Sequence, residues 1–195
     1  MKQVCIIHGG STFESEQGYL DNLNTLKIKY IRLLYTKRWK NWLGEVLSDY
    51  EVLLPEMPNR AYAKYEEWAL FFSKIVPFLK DDTTLVGHSL GGIFLAKYLN
   101  EHPELHFEKV AFVAAPFDDT ASESLASFSL PGNLQALQEA ADSFGIFHST
   151  DDPVVPYFEA MKYSSLLPSN ELFLLENRGH FNQETFPELI EFIQK

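Results

Sequence analysis

The chain has one cysteine, Cys5, in 195 residues, so no disulfide can form within it. Cys5 lies inside the apolar run Val4 to Ile7, which predicts a buried thiol and a reducing compartment. Long apolar runs are also missing, and no window approaches the length needed to cross a bilayer. The N-terminus lacks the basic region, signal-length apolar stretch and cleavage site of a secretory leader. The expectation is a soluble cytoplasmic protein. Positive charge is scarce, with 16 Lys and Arg against 27 Asp and Glu, a net charge of -11. Such a balance argues against nucleic acid or an anionic membrane as a general partner, because their phosphates would be repelled. Lys27, Lys29, Arg32, Lys37, Arg38 and Lys40 concentrate what positive charge there is, and are expected to form a solvated face.

Apolar residues make up 46% of the chain, and its 16 phenylalanines suit one dense core; a single domain over residues 1–195 is expected. Short apolar runs alternate with amphipathic stretches. Strands are expected at Gln3 to His8, Tyr50 to Leu54, Thr84 to Val86, Val110 to Ala114, Phe144 to His148 and Glu171 to Leu175. Between them, apolar residues at helical spacing predict helices around Trp39 to Leu47, Tyr65 to Lys80, Leu90 to Asn100, Asn133 to Ala141, Tyr157 to Leu167 and Phe186 to Ile193. Pro77 should kink or shorten the last turn of the second. This alternation predicts an α/β fold, a doubly wound and mostly parallel six-stranded sheet with helices on both faces. Ser11 to Thr36 has no dependable period and reads as loop plus helix, while Asp118 to Gly132 is a lid candidate.

The chemistry is concentrated at Gly87-His88-Ser89-Leu90-Gly91, a Gly-x-Ser-x-Gly sequence between a strand and a helix. A serine at such a turn presents its hydroxyl at the sheet edge, and the flanking glycines let strand and helix approach closely. His8-Gly9-Gly10 ends the first strand, so the amides of Gly10 and Leu90 are candidates for an oxyanion hole. Ser149 to Pro156 follows the fifth strand, and Gly179-His180-Phe181 follows the sixth. A hydroxyl becomes a competent nucleophile when an imidazole accepts its proton and a carboxylate fixes that imidazole's tautomer. His180 is the expected base. Asp151 and Asp152 compete for the orienting role, and Asp152 is preferred because Pro153-Val154-Val155-Pro156 restrains it; Asp151 then forms the turn.

With those residues placed, the chain resembles the α/β-hydrolase superfamily, and within it the small serine hydrolases of the YdeN and retinoblastoma-binding-protein-nine type. Val4 to Gly9, Leu54 to Asn59, Trp68, Val86 to Gly91, Ser149 to Pro156 and Gly179 to Phe181 carry the resemblance over nearly the whole chain. It implies a compact hydrolase fold lacking the first two strands of larger members, with Ser89, Asp152 and His180 as a triad. The segment at about 14–36 is longer than the family requires and is a candidate cap insertion. No Leu-x-Cys-x-Glu sequence is present, so a retinoblastoma-type partner is unsupported.

The expected function is hydrolysis of a small ester or related acyl compound through an acyl-enzyme, without a metal or organic cofactor. Phe13, Phe117, Tyr157 and Phe181 are candidates for an apolar acyl pocket, with core packing an equal explanation for each. Two alternatives stand beside it. One is a non-catalytic binding module on a hydrolase scaffold; the other is amidase or acyltransferase chemistry on the same triad. The substrate's identity and the oligomeric state are not readable from these residues.

Overall fold

A computed structural model describes residues 1–34, 36–119 and 124–195. Its six strands are β1 (Lys2–Ile7), β2 (Tyr50–Leu53), β3 (Thr83–His88), β4 (Phe107–Val113), β5 (Ala141–Ser149) and β6 (Asn170–Leu175). They form one sheet in the order β2-β1-β3-β4-β5-β6, and every pairing is parallel. Ile7 lies opposite Gly87, His88 opposite Val113, and Ser149 opposite Leu175, so the carboxyl ends of the strands share one edge. Ligand sites in open parallel sheets form at that edge.

Strand alternation sorts the core into two layers. Cys5, Ile7, Leu85, Val110, Phe112, Phe144 and Ile146 face one side. There they meet α3 (Tyr65–Phe72), α4 (Leu90–Glu101), α5 (Gln135–Gln138) and α6 (Phe158–Leu166). Val4, Ile6, Val86, Ala111, Val113 and Phe147 face the other, against α2 (Trp39–Val46) and α7 (Pro187–Gln194). Because β1, β3 and β4 are covered on both faces, their central residues read as short apolar runs, Val4 to Ile7, Leu85 to Val86 and Val110 to Val113. Trp39 and Trp68 are fully buried anchors of the two layers. The remaining helix, α1 (Glu16–Thr25), has no buried residue and lies outside both.

Two expected helices end elsewhere. Regular helix stops at Phe72 rather than Lys80, and Val76–Phe78 is a separate 3-10 turn. Pro77 excludes the carbonyl of Ser73 as a helical acceptor. The amides of Lys74 and Ile75 accordingly bond three residues back, to Phe71 and Phe72. The helix expected over Asn133 to Ala141 shrinks to four residues, because Ala141 pairs with Phe107 as the start of β5. Sheet pairing prevails over local helical preference there. The lid candidate, of which Thr120 to Glu123 lie outside the described residues, is anchored by buried Leu125 and Phe128. Among the described residues no helix is long and apolar enough to cross a membrane.

Phe147 stacks on Phe173 at 4.4 Å and meets Phe186 and Phe192 edge-on at 5.3 and 5.8 Å between ring centroids. Phe147→Ala should cost about 3–5 kcal/mol of unfolding free energy, the usual cost of a large buried aromatic. Urea denaturation followed by far-ultraviolet circular dichroism measures it.

Candidate active site

The turn between β3 and α4 forces Ser89 to φ 55 and ψ -124, a left-handed conformation that costs an ordinary residue about 1–3 kcal/mol. Tertiary contacts hold it there. The Ser89 amide donates to the Val113 carbonyl at 2.8 Å, and the Gly92 amide donates to the Ser89 carbonyl at 2.8 Å. A Cβ at Gly87 would stand 2.5 Å from the Gly91 carbonyl oxygen; one at Gly91 would stand 2.4 Å from that of Ile7. The glycines therefore let α4 begin against the ends of β1 and β3.

His180, in the loop after β6, places Nε2 2.9 Å from Ser89 Oγ and Nδ1 2.8 Å from Asp152 Oδ2. With a carboxylate on Nδ1, that nitrogen carries the proton and Nε2 accepts the serine hydroxyl. The Asp152 side chain is fully buried, and its other oxygen accepts the amides of Val154 at 2.8 Å and Val155 at 3.1 Å. Beneath it, buried His148 donates from Nε2 to the Val155 carbonyl at 2.9 Å. Burial lowers the pKa of His148. Asp151 is exposed. It accepts the Ser149 hydroxyl and, at 3.2 Å, the Gly179 amide, bracing the two loops against each other. The Ser149 hydrogen bond leads the causes that lower its pKa.

On the other side of Ser89, a Cβ added to Gly9 would stand 3.0 Å from Ser89 Cβ, and one added to Gly10 would stand 3.2 Å from Leu90 Cδ2. The Gly9-Gly10 backbone thus runs beside the serine and the first turn of α4. The Leu90 amide is the first of its helix and has no intrahelical acceptor. His8 braces this loop: Nδ1 donates to the Gly9 carbonyl at 2.7 Å, and Nε2 accepts the Met57 amide at 2.8 Å. Burial is the main cause of its lowered pKa.

Several supporting residues were not legible as such. His88, within the serine motif, is buried and donates from Nε2 to the His180 carbonyl at 3.0 Å. Its Nδ1 accepts the Lys40 ammonium at 3.0 Å. Burial first, then the charge of Lys40, holds its pKa well below the ordinary value. Arg38 donates to the Asn182 carbonyl, the Trp39 amide to Gln183 at 3.1 Å, and the Trp39 indole to Phe181 at 2.9 Å. The start of α2 thereby clamps the His180 loop. The expected solvated basic face holds for exposed Lys27, Lys29 and Arg38, but Lys37 and Lys40 are half-buried, Lys40 in the cleft; the side chain of Arg32 lies outside what is described. No spacing rule marks a lysine 140 positions from the histidine whose loop it supports.

Two cavities flank the serine. A cleft of about 640 Å³ includes Ser89, His180, His88, Arg38, Lys40 and Arg60. The second, about 420 Å³, lies past Gly10 and Leu90 and is bounded by Phe13, Pro116 and Leu125. The residues expected to form an apolar pocket are scattered. Phe13 lines the second cavity; Phe181 touches the first but is a buried core residue; Phe117 packs edge-on against Tyr163; and Tyr157 is exposed before α6. Among the described residues no group of three or more His, Cys, Asp or Glu side chains is arranged to hold a metal ion.

A six-stranded parallel sheet with helices on both faces and a serine at the strand-to-helix turn defines an α/β-hydrolase fold. The serine hydrolase family profile matches residues 35–190, and the chain belongs to that family. It is 26% identical over 162 residues to the serine hydrolase RBBP9 of Rattus norvegicus, covering 82% of this chain and 86% of that one. Among solved structures, the ydeN gene product of Bacillus subtilis superposes with a TM-score of 0.77 at 21% identity, over 100% of this chain and 97% of that one. Est1E of Butyrivibrio proteoclasticus, solved with ferulic acid bound, gives 0.64 at 13% identity over 100% and 87%. These last two likenesses are of fold.

Lys40 has a pKa pushed down to about 8, by burial first and then by repulsion from Arg60 and Arg38, with Glu56 opposing. A lysine whose folded pKa is lowered binds fewer protons folded than unfolded between that value and its ordinary 10.5. Its penalty is present in full below about pH 8 and is relieved as pH rises toward 10. The stability of the native protein minus that of Lys40→Met should therefore increase between pH 7 and pH 10, as measured by urea denaturation across that range.

Proposed function

We propose that the protein hydrolyses small carboxylic esters or related acyl compounds through a covalent intermediate on Ser89. The observation that carries the reading is the continuous chain from Asp152 through His180 to Ser89, with both contacts below 3 Å. Ser89 Oγ attacks the substrate carbonyl carbon while His180 Nε2 takes the hydroxyl proton. The carbonyl oxygen becomes negative, facing the amides of Gly10 and Leu90. When the carbon–oxygen bond to the alcohol breaks, His180 returns the proton to the departing oxygen. Water then attacks the acyl-serine, giving its proton to His180; the acid leaves and Ser89 recovers its hydrogen. Asp152 keeps Nδ1 protonated and stabilises the imidazolium in both halves.

The small-molecule acyl substrate, the dispensability of a cofactor and a cytoplasmic setting complete the proposal, the last supported by the buried free thiol of Cys5. Segment 14–36 is proposed to cap the second cavity, because Glu14, Ser15, Gly18 and Asn22 form part of its wall.

A fluorophosphonate probe should label the protein at Ser89 alone, and Ser89→Ala should abolish labelling. With p-nitrophenyl acetate, Asp152→Asn should lower kcat by roughly ten-thousand-fold, the loss that follows when the histidine is left in the wrong tautomer. Asp151→Asn should stay within about tenfold of the native value, since Asp151 braces a turn without touching the imidazole. Equal losses for the two aspartates would overturn the assignment of the acid.

A further inference from the structure

The cleft beside His180 contains Arg38, Lys40 and Arg60, three cations in a molecule whose net charge is -11. Elsewhere several basic side chains pair with carboxylates: Lys2 with Glu108, Lys80 with Glu51, Lys162 with Glu159, Arg178 with Glu188, and Lys195 with Glu171. Among the described residues, none of the three cleft cations has a carboxylate within 4.0 Å. The cleft's single acidic side chain, Glu56, is 82% exposed and approaches His8 at 3.7 Å. Lys40 rests instead on neutral His88 and lies 5.0 Å from the centre of the Trp39 ring. Arg38 uses one donor on a backbone carbonyl. Mutual repulsion among three cations that converge on one cleft, with Lys40 half-buried, is unfavourable unless an anion joins them.

The side of the serine on which they lie decides what that anion belongs to. His180 must hand its proton to the departing oxygen, so the alcohol half of an ester occupies the His180 side. Val154, His180 and Asn182 line the cationic cleft, which also reaches Gly9 and Gly10, whereas the second cavity touches Gly10 and Leu90 and no residue of the His180 loop. Resting on the acyl-enzyme reading above, we infer that the cleft selects esters whose alcohol half carries an anionic group, a carboxylate or a phosphate, held by Arg38, Lys40 and Arg60. The second cavity, where Phe13, Leu90 and Pro116 stand beside polar side chains, receives a short acyl chain. Repulsion by the rest of the acidic surface makes this local positive field the route of entry for such a substrate.

The test compares hydrolysis of 4-acetoxybenzoate and 4-acetoxyphenyl phosphate with the neutral methyl 4-acetoxybenzoate, each corrected for its hydroxide-catalysed rate. Monophenyl succinate places the anion on the acyl side. At least one of the first two should exceed the neutral ester in kcat/KM by about tenfold, as three partly exposed ion pairs allow, and monophenyl succinate should gain nothing. Arg60→Gln should reduce the anionic-to-neutral ratio about threefold, and added potassium chloride should reduce it in the native protein. Ser89 labelling and turnover of the neutral ester without anionic preference would overturn the inference and leave the hydrolase reading standing. A gain by monophenyl succinate equal to the others would overturn the placement on the alcohol side. If Ser89 resists labelling, the acyl-enzyme reading fails. Calorimetry of 4-hydroxybenzoate and 4-hydroxyphenyl phosphate then decides the anion site: tenfold tighter binding than methyl 4-hydroxybenzoate sustains it, and equal binding overturns it.

Discussion

The close approach of α4 to the ends of β1 and β3 is the constraint on which the site depends. Its cost is the left-handed backbone of Ser89, offset by the Val113 carbonyl and by packing of the buried helix. Without side chains at Gly87 and Gly91, the serine can sit at the strand edge with the Gly9-Gly10 loop beside it. Any enlargement at either position pushes α4 away from the sheet, and the serine with it.

The loops that meet this serine are held from below by groups with little chemistry of their own. Asp152 is fixed by two amides and rests over His148; the His180 loop is held by Asp151, His88, Trp39 and Arg38. Buried histidines suit such duty because burial keeps them neutral, with one nitrogen donating and the other accepting. His8 and His88 both work this way, each linking two loops. Such bracing fixes the imidazole before substrate arrives, which is where positional accuracy matters most.

Charge is distributed unevenly for the same reason. Among the described residues the acidic surface pairs with Lys2, Lys37, Lys80, Lys109, Lys162 and Lys195, while the start of α2 sets Arg38 and Lys40 at the cleft on either side of buried Trp39. One helix thus braces the histidine loop and lends its cations to the cleft.

Short-range pattern was enough for much of this molecule. Six apolar runs, the strand-serine-helix sequence and the positions of Asp152 and His180 after the last two strands were all legible, because strand burial and turn chemistry are local. The early end of α3 at Phe72 followed from Pro77, yet its extent depended on the bonds the freed amides found. The brevity of α5 required knowing that Ala141 would pair with Phe107. Lys40, His88 and Arg60 could not be joined from sequence, since their proximity arises only when α2 and the loops after β2, β3 and β6 close on one cleft. Sequence determined which residue types stand at each strand end; packing decided which of them meet, because distances between loops are set by the sheet and its two helical layers.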